Sequence, residues 1–342
     1  MFKPKYSITP KLLESIKKIT SLITKLNAEK FPRLVLAEFE KSARETSSFA
    51  STSIEGNPLP LTEVKKLLKS KPENIRDSER EVLNYNQALE KLNKLTINNN
   101  SGLNLKLILD TQKIITQGHL PSFRSGKLRK EPVVVNNPKL RKVVYLPPDY
   151  QDVEKLVKEL LLYIEENKNK TDPIILAGIF HKQFVVVHPF VDGNGRTTRL
   201  LTKVLLAHMG LNTFNLFSFE NYYNNNVSKY FEKVGVLGNY YEEVDKIDFT
   251  EWLEYFADGI IDELLRVSKE LEKSSLSPST ELKPYHIKVV EYIKEHGYIT
   301  DKKYAEISKR AKATRNLDFN KLIAFGVIQR IGKGKATHYK LA

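Results

Sequence analysis

Cysteine is absent from the chain, which excludes disulfides, thiolate metal sites and cysteine nucleophiles. Long apolar runs are missing too. Stretches such as PIILAGIF are too short to span a bilayer, so no membrane partner is expected. The opening segment, MFKPKYSITPKLLESIKK, has no apolar core of the secretory kind, which makes the cytoplasm the expected compartment. No GxxxxGK(S/T) string occurs, nor a GxGxxG after a strand, so the common phosphate loops are excluded. Nothing repeats internally. What is present is 342 residues, enough for two or three domains with a substantial core. A hydrophobic content of 41% marks the chain as globular rather than disordered.

Chemistry concentrates between His188 and Arg199, in the string HPFVDGNGRTTR. Gly193, Asn194 and Gly195 can turn their backbone N–H groups around an anion in a tight, positive-φ geometry. The run that follows, TTRLLTKVLLAHM, has helical apolar spacing, so the loop feeds a helix N-terminus, a second source of anion affinity. Arg196 and Arg199 stand on neighbouring positions of that helix and suit phosphate oxygens. Asp192 would repel phosphate unless a divalent cation bridged them. His188 titrates near the operating pH of a general base. Together these residues describe a site for a metal-bound polyphosphate beside a proton acceptor.

The string resembles the signature of the Fic family, HxFx(D/E)GNGRxxR, at every fixed position. The resemblance implies a mainly α fold, a Fic-type helical core with a short β-hairpin flap. It also implies transfer of AMP from ATP to a Ser, Thr or Tyr hydroxyl of a target protein, the chain itself included. His188 would take the hydroxyl proton as the oxygen attacks the α-phosphorus in line. Asp192 would hold Mg²⁺ between the α- and β-phosphates, and the loop from Gly193 to Gly195 would cradle the same oxygens. Arg196 would grip the β-phosphate and Arg199 the γ-phosphate, while Asn194 would support the loop and contact phosphate. Phe190 is read as an apolar anchor. His181 is read as structural, because two histidines without a third ligand make no metal site.

Residues 51–57, STSIEGN, resemble the (S/T)xxxE(G/N) inhibitory motif of the same family, with Ser51, Glu55 and Gly56 at its fixed positions. Alone, IEGN reads as a helix end with Gly56 as the stop signal. Beside the intact signature it reads as autoinhibition. Glu55 can form a bidentate pair with an arginine, and the resemblance makes Arg199 the partner, which would deny that arginine to the γ-phosphate. The alternatives are removal of AMP from a modified protein, with Glu55 orienting water, and transfer from another nucleotide donor. Outside enzymes, the alternative is a DNA-binding regulator whose Fic core senses nucleotide.

Flanking segments carry further expectations. The GKLR segment, residues 126–129, with the valines after it, resembles the family's G-x-x-R element and flap. Val133, Val134, Val135, Val143, Val144 and Tyr145 would then dock the target as an added strand, the alternative being an ordinary exposed hairpin. Tyr230, Phe231 and Asn239 resemble residues lining the family's adenine pocket, the alternative being a core helix.

The expected domains are an N-terminal helical region over 1–104 carrying the inhibitory motif, a Fic core over 105–271, a Ser- and Pro-rich linker over 272–284, and a C-terminal domain over 285–342. From Glu281 onward the tail holds 14 Lys+Arg and 6 Asp+Glu. Its pattern of helix, short strand GYIT, two helices and a two-stranded end resembles a winged helix-turn-helix. Thr314, Arg315 and Asn316 would open the recognition helix, and Lys333 and Lys335 would sit in the wing near DNA phosphates. The alternative is a protein-docking or homodimerisation module.

Overall fold

The computed structural model describes residues 2–29, 31, 33–70, 72–97, 102–137, 142–207, 217–275, 282–325, 327–332 and 334–341. The chain divides into two compact units, Met1–Ala28 with Ala43–Leu265, and Glu29–Ser42 with Arg266–Ala342.

The first unit begins with α1 (Pro10–Ala28), α2 (Arg33–Ile54, entering this unit at Ala43), α3 (Leu61–Lys69), α4 (Asp77–Ile97) and α5 (Leu105–Ile115). A hairpin of β1 (Val135–Asn137) and β2 (Lys142–Leu146) follows, then α6 (Tyr150–Asn167), α7 (Pro173–Val187) and α8 (Asn194–Ala207). The unit continues with α9 (Glu220–Asn225), α10 (Val227–Val234), β3 (Gly238–Asn239), α11 (Tyr240–Glu243) and α12 (Thr250–Ser275, leaving this unit after Leu265).

The centre is α7. Its sequence, PIILAGIFHKQFVVV, is largely apolar and all of it is buried except Pro173 and Val185, as suits a helix surrounded by others. Asp172 caps its start by accepting from Ile174 N, with Pro173 in the first turn. α6 and α8 flank it, and α4 and α5 pack against α8. Tyr85, Ile108, Val157, Phe180, Phe184 and Leu200 meet in one core.

The expected boundary at residue 104 is not a boundary between compact units. Tyr85, Ala88, Leu89 and Leu92 of α4 lie three or four apart, on one face, and bury in the same core as α7 and α8. The expected end of the core at residue 271 falls inside α12, which runs on to Ser275. The rest of the expected linker up to residue 281 lies outside the described residues.

β2 is the middle strand of a small sheet. It pairs antiparallel with β1, Val135 opposite Tyr145, and parallel with β3, Tyr145 opposite Gly238. A bulge falls between Val135 and Asn136. The turn of the hairpin, residues 138–141, lies outside the described residues.

In the second unit, α13 (Pro284–His296), α14 (Asp301–Ser308) and α15 (Lys312–Ala324) precede an antiparallel pair, β4 (Ile328–Ile331) and β5 (His338–Leu341). The expected strand at GYIT reduces to a single bridge in which Ile299 and Tyr339 exchange both backbone hydrogen bonds. Phe319 stacks on Tyr339 with ring centres 3.8 Å apart, inside a core that includes Val289, Ile293, Tyr304 and Leu322.

Candidate active site

The site is built where α7 stops and α8 starts. Pro189 disfavours helical backbone for the residue before it, and His188 closes α7 in the left-handed region at φ +49°. For a residue with a β-carbon this costs on the order of 1–3 kcal/mol unless neighbours impose it. Arg129 is that neighbour. Its Nε donates to His188 O at 2.8 Å and its backbone N donates to Pro189 O at 2.9 Å, while its Nη2 reaches Pro148 O. The imidazole Nδ1 lies 3.3 Å from Val185 O. A proton placed there leaves Nε2 free to accept another. Burial lowers the His188 pKa below the ordinary 6.5. The Val185 contact, Glu55 and Asp192 pull it up and Arg129 pushes it down, and the net shift is downward.

Asn194 staples the loop. Its Oδ1 accepts from Phe190 N at 2.9 Å and its Nδ2 donates to Phe190 O at 2.8 Å, with the Phe190 ring in the core. The amide is buried and holds Phe190 at both its ends, so Asn194 supports the loop. Of the three loop residues only Gly193 has positive φ, at +81°. Its N–H is engaged by Asp192 Oδ1 at 2.7 Å. Gly195 instead lies within the first turn of α8, where its missing side chain makes room. A β-carbon there would stand 2.2 Å from Glu55 Oε1 and 3.0 Å from Arg199 Nη1.

Each signature arginine is already bound. The Arg199 side chain is fully buried; its Nε donates to Ser51 Oγ at 2.7 Å, and its Nη2 donates to Ser51 O at 2.8 Å and Glu55 Oε1 at 2.6 Å. Burial, the largest single influence, would lower its pKa, but Glu55, Tyr230 and Tyr85 together outweigh it and the net shift is upward. The expected bidentate pair is therefore a single-oxygen contact. Ser51, one turn earlier on α2, takes Nε and shares Nη2 with Glu55. Glu55 follows the last residue of α2 in a turn closed by Gly56 at φ +96°.

Arg196 donates from Nη2 to both oxygens of Asp192, at 2.9 and 3.0 Å, and its Nη1 lies 2.6 Å from Glu81 Oε1. Glu81 is an α4 residue that sequence reading misses, because nothing local distinguishes it from any helix-surface glutamate. Gln112 is missed for a similar reason. It sits on the buried face of α5, its Nε2 donating to Asp192 O and its Oε1 accepting from Gly126 N. A polar residue at a core position of an apolar helix was the available signal.

Other expected residues lie elsewhere. Tyr230 is a core residue, not a pocket wall. Its hydroxyl pairs with His181 Nε2 at 3.0 Å and its ring stacks on Tyr223, because the apolar face of α10 turns inward. His181 Nδ1 contacts Thr202 Oγ1. Phe231, on the other face, is exposed, and Asn239 caps α11 by accepting from Tyr241 N. In the hairpin, Val134 and Val143 are exposed, and Val133 and Val134 precede β1 rather than belonging to it. Val135 and Val144 are partly buried. Tyr145 is buried, donating to Val186 O at 3.0 Å, so it anchors the hairpin to the end of α7 instead of facing a partner.

Residues 102–206 match the model of the Fic/DOC family. The chain carries a Fic domain. The domain is similar to protein adenylyltransferase Fic of Aedes aegypti, 28% identical over 181 residues, 52% of this chain and 35% of that one. Protein adenylyltransferase Fic of Culex quinquefasciatus is 29% identical over 179 residues, 51% of this chain and 34% of that one. The match thus spans about a third of the length of these curated relatives. Among solved structures, a Fic family protein from Desulfovibrio desulfuricans superposes with a TM-score of 0.66 at 19% identity, covering 100% of this chain and 98% of the other. Fic-1 of C. elegans superposes with a TM-score of 0.60 at 21% identity, covering 77% and 73%. The fold is that of Fic proteins: mainly helical, with a short hairpin beside the signature loop.

In the C-terminal unit the expected nucleic-acid residues separate. Arg315 is buried and forks Asp301, with Nε to Oδ1 at 2.9 Å and Nη2 to Oδ2 at 2.8 Å, so it joins α14 to α15 rather than facing outward. Thr314 is partly buried and Asn316 is exposed. Lys333 and the side chain of Lys335 lie outside the described residues.

Proposed function

We propose that this Fic domain moves AMP from ATP to a hydroxyl of a protein, and that Glu55 holds it inactive. The observation that carries the inhibition is the buried Arg199, whose Nε and Nη2 are held by Ser51 and Glu55. A γ-phosphate oxygen would have to replace the Glu55 carboxylate there. In transfer, His188 Nε2 takes the proton of the incoming hydroxyl, whose oxygen bonds to the α-phosphorus as the bond to the bridging oxygen breaks and pyrophosphate leaves. A positioned base of this kind contributes roughly 10²–10⁴ in rate, and the rest falls to positioning and to charge stabilisation by the two arginines.

Mg²⁺ fits the donor set. Asp192 offers a carboxylate 46% exposed, and this ion commonly takes one or two carboxylates with phosphate oxygens and water. Bound there it would neutralise phosphate charge. Asp192 would hold it, and Arg196 Nη2 would exchange Asp192 for phosphate. Among the described residues β1 pairs with no strand on its outer edge, which supports target docking there as an added strand, with Val134 and Val143 exposed beside it.

A second reading is removal of AMP, with Glu55 orienting water; it is supported by the placement of the Glu55 carboxylate against Arg199 and Gly195, in the loop that begins at His188. The test is intact-mass analysis of Glu55→Gly after incubation with MgATP, beside wild type and Glu55→Gly/His188→Ala. AMP adducts confined to the single variant support inhibited transfer. Absence of adducts on both the chain and added lysate proteins, with release of AMP from a modified protein by wild type, would replace it with the second reading.

For the C-terminal unit we propose a winged helix-turn-helix, α14 and α15 forming the pair and β4–β5 the wing. Duplex DNA would meet the exposed face of α15, where Asn316 and Asn320 lie one turn apart beside Lys312.

A further inference from the structure

Glu81 is held from two directions. Its Oε2 accepts from Asn57 Nδ2 at 2.6 Å, and its Oε1 lies 2.6 Å from Arg196 Nη1. Asn57 is itself fixed, its Nδ2 also donating to Ser78 O at 2.9 Å and its Oδ1 accepting from Leu59 N at 3.1 Å. The two acids on Arg196 are unequal. The Glu81 side chain is 16% exposed and rooted in a core helix, whereas Asp192 is 46% exposed and stands on the loop. Arg196 itself is 7% exposed, and among the described residues its Nε has no partner.

An arginine presents five donors in one rigid plane, so fixing one nitrogen orients the rest. We propose that Glu81 is the positioning residue of Arg196. It anchors Nη1 throughout the reaction cycle, so that Nη2 and Nε can leave Asp192 and meet phosphate oxygens without the guanidinium losing its orientation. The inference rests on the phosphate-binding reading of Arg196. It assigns to a helix outside the signature, and to Asn57 two residues after Glu55, the aim of a signature side chain. Without Glu81 the guanidinium would have only Asp192 to orient it, and would lose that contact when Asp192 turned to the nucleotide. A displacement of about 1 Å in such a group costs on the order of 10²-fold in rate.

The experiment uses the full chain in the Glu55→Gly background, with MgATP affinity measured by calorimetry and AMP transfer by mass. Glu81→Ala is expected to weaken MgATP binding about tenfold and to slow transfer by about 10²-fold, against a small change in melting temperature. Added to Arg196→Ala, it should cost nothing further, because the group it positions is gone. Equal losses in the two backgrounds would overturn the proposal, as would tighter MgATP binding by Glu81→Ala, which would make Glu81 a brake. Glu81→Gln, which retains an acceptor for Arg196, should recover most of the loss, and Glu81→Leu, of similar size with no acceptor, takes the place of the alanine variant if that does not fold. If Arg196→Ala alone leaves MgATP binding unchanged, the phosphate reading of Arg196 has failed, and the proposal with it. If Arg196→Ala weakens binding and neither Glu81 variant does, only the proposal fails.

Discussion

Glu55 occupies the space that a side chain on Gly195 would need: its Oε1 lies 2.2 Å from where the β-carbon would stand. The glycine therefore admits the carboxylate to Arg199, 2.6 Å from the same oxygen. The pair of residues, one just past the end of α2 and one in α8, forms the contact between the proposed inhibitory segment and the phosphate loop.

That relationship predicts a change of sign. Alanine for glycine inside a helix ordinarily stabilises by about 1 kcal/mol. In the intact chain, Gly195→Ala should instead destabilise by about 1–3 kcal/mol through overpacking against Glu55. In Glu55→Gly, the same change should be neutral or stabilising. Chemical denaturation of the four variants measures the coupling. The same effect in both backgrounds would show that Glu55 does not occupy this space in solution.

The burial of His188 predicts where transfer fails in acid. Transfer needs the neutral imidazole, so it is present above the pKa and lost as pH falls through it. Because that pKa lies below the ordinary 6.5, the acid limb of the Glu55→Gly rate should have its midpoint below 6.5. Removing Glu55 also removes one influence that raises the pKa, moving the limb further down. Rates across about pH 5–8 decide it, and a midpoint above 6.5 would contradict the burial argument.

Arg129 should matter to catalysis without touching substrate. Arg129→Gln removes the donors that hold His188 O and Pro148 O, freeing His188 to leave its left-handed backbone. Transfer by the Glu55→Gly chain should drop by about 10²-fold, with a stability loss of about 1–3 kcal/mol. Stability lost with full activity retained would make Arg129 a fold residue only.

Two neighbouring residues of α15 should behave oppositely. Arg315→Ala breaks the fork to Asp301 and should lower the melting temperature. Asn316→Ala, on the exposed face, should leave melting unchanged and weaken binding to duplex DNA, by about 1–3 kcal/mol where it contacts a base. Duplex binding unaffected by both Asn316→Ala and Asn320→Ala would remove α15 from the DNA interface.

The sequence by itself determined the local chemistry. From His188 to Arg199 the loop, the helix start and the arginines are contiguous, and a tight loop feeding a helix brings such residues together wherever the fold places them. The same is true of the largely apolar α7, and of the string ending at Gly56 that carries the proposed inhibition. The tertiary structure decided which donors are free. Asn194 spends both ends of its amide on Phe190, Arg315 turns inward to Asp301, and Tyr145 and Tyr230 are buried. It also decided which distant residues complete the site: Glu81, Gln112 and Arg129 reach the loop across 115, 80 and 59 positions of chain, from Arg196, Asp192 and His188 respectively. A hydrogen bond over such a separation depends on how helices pack, and no local pattern of residues encodes it.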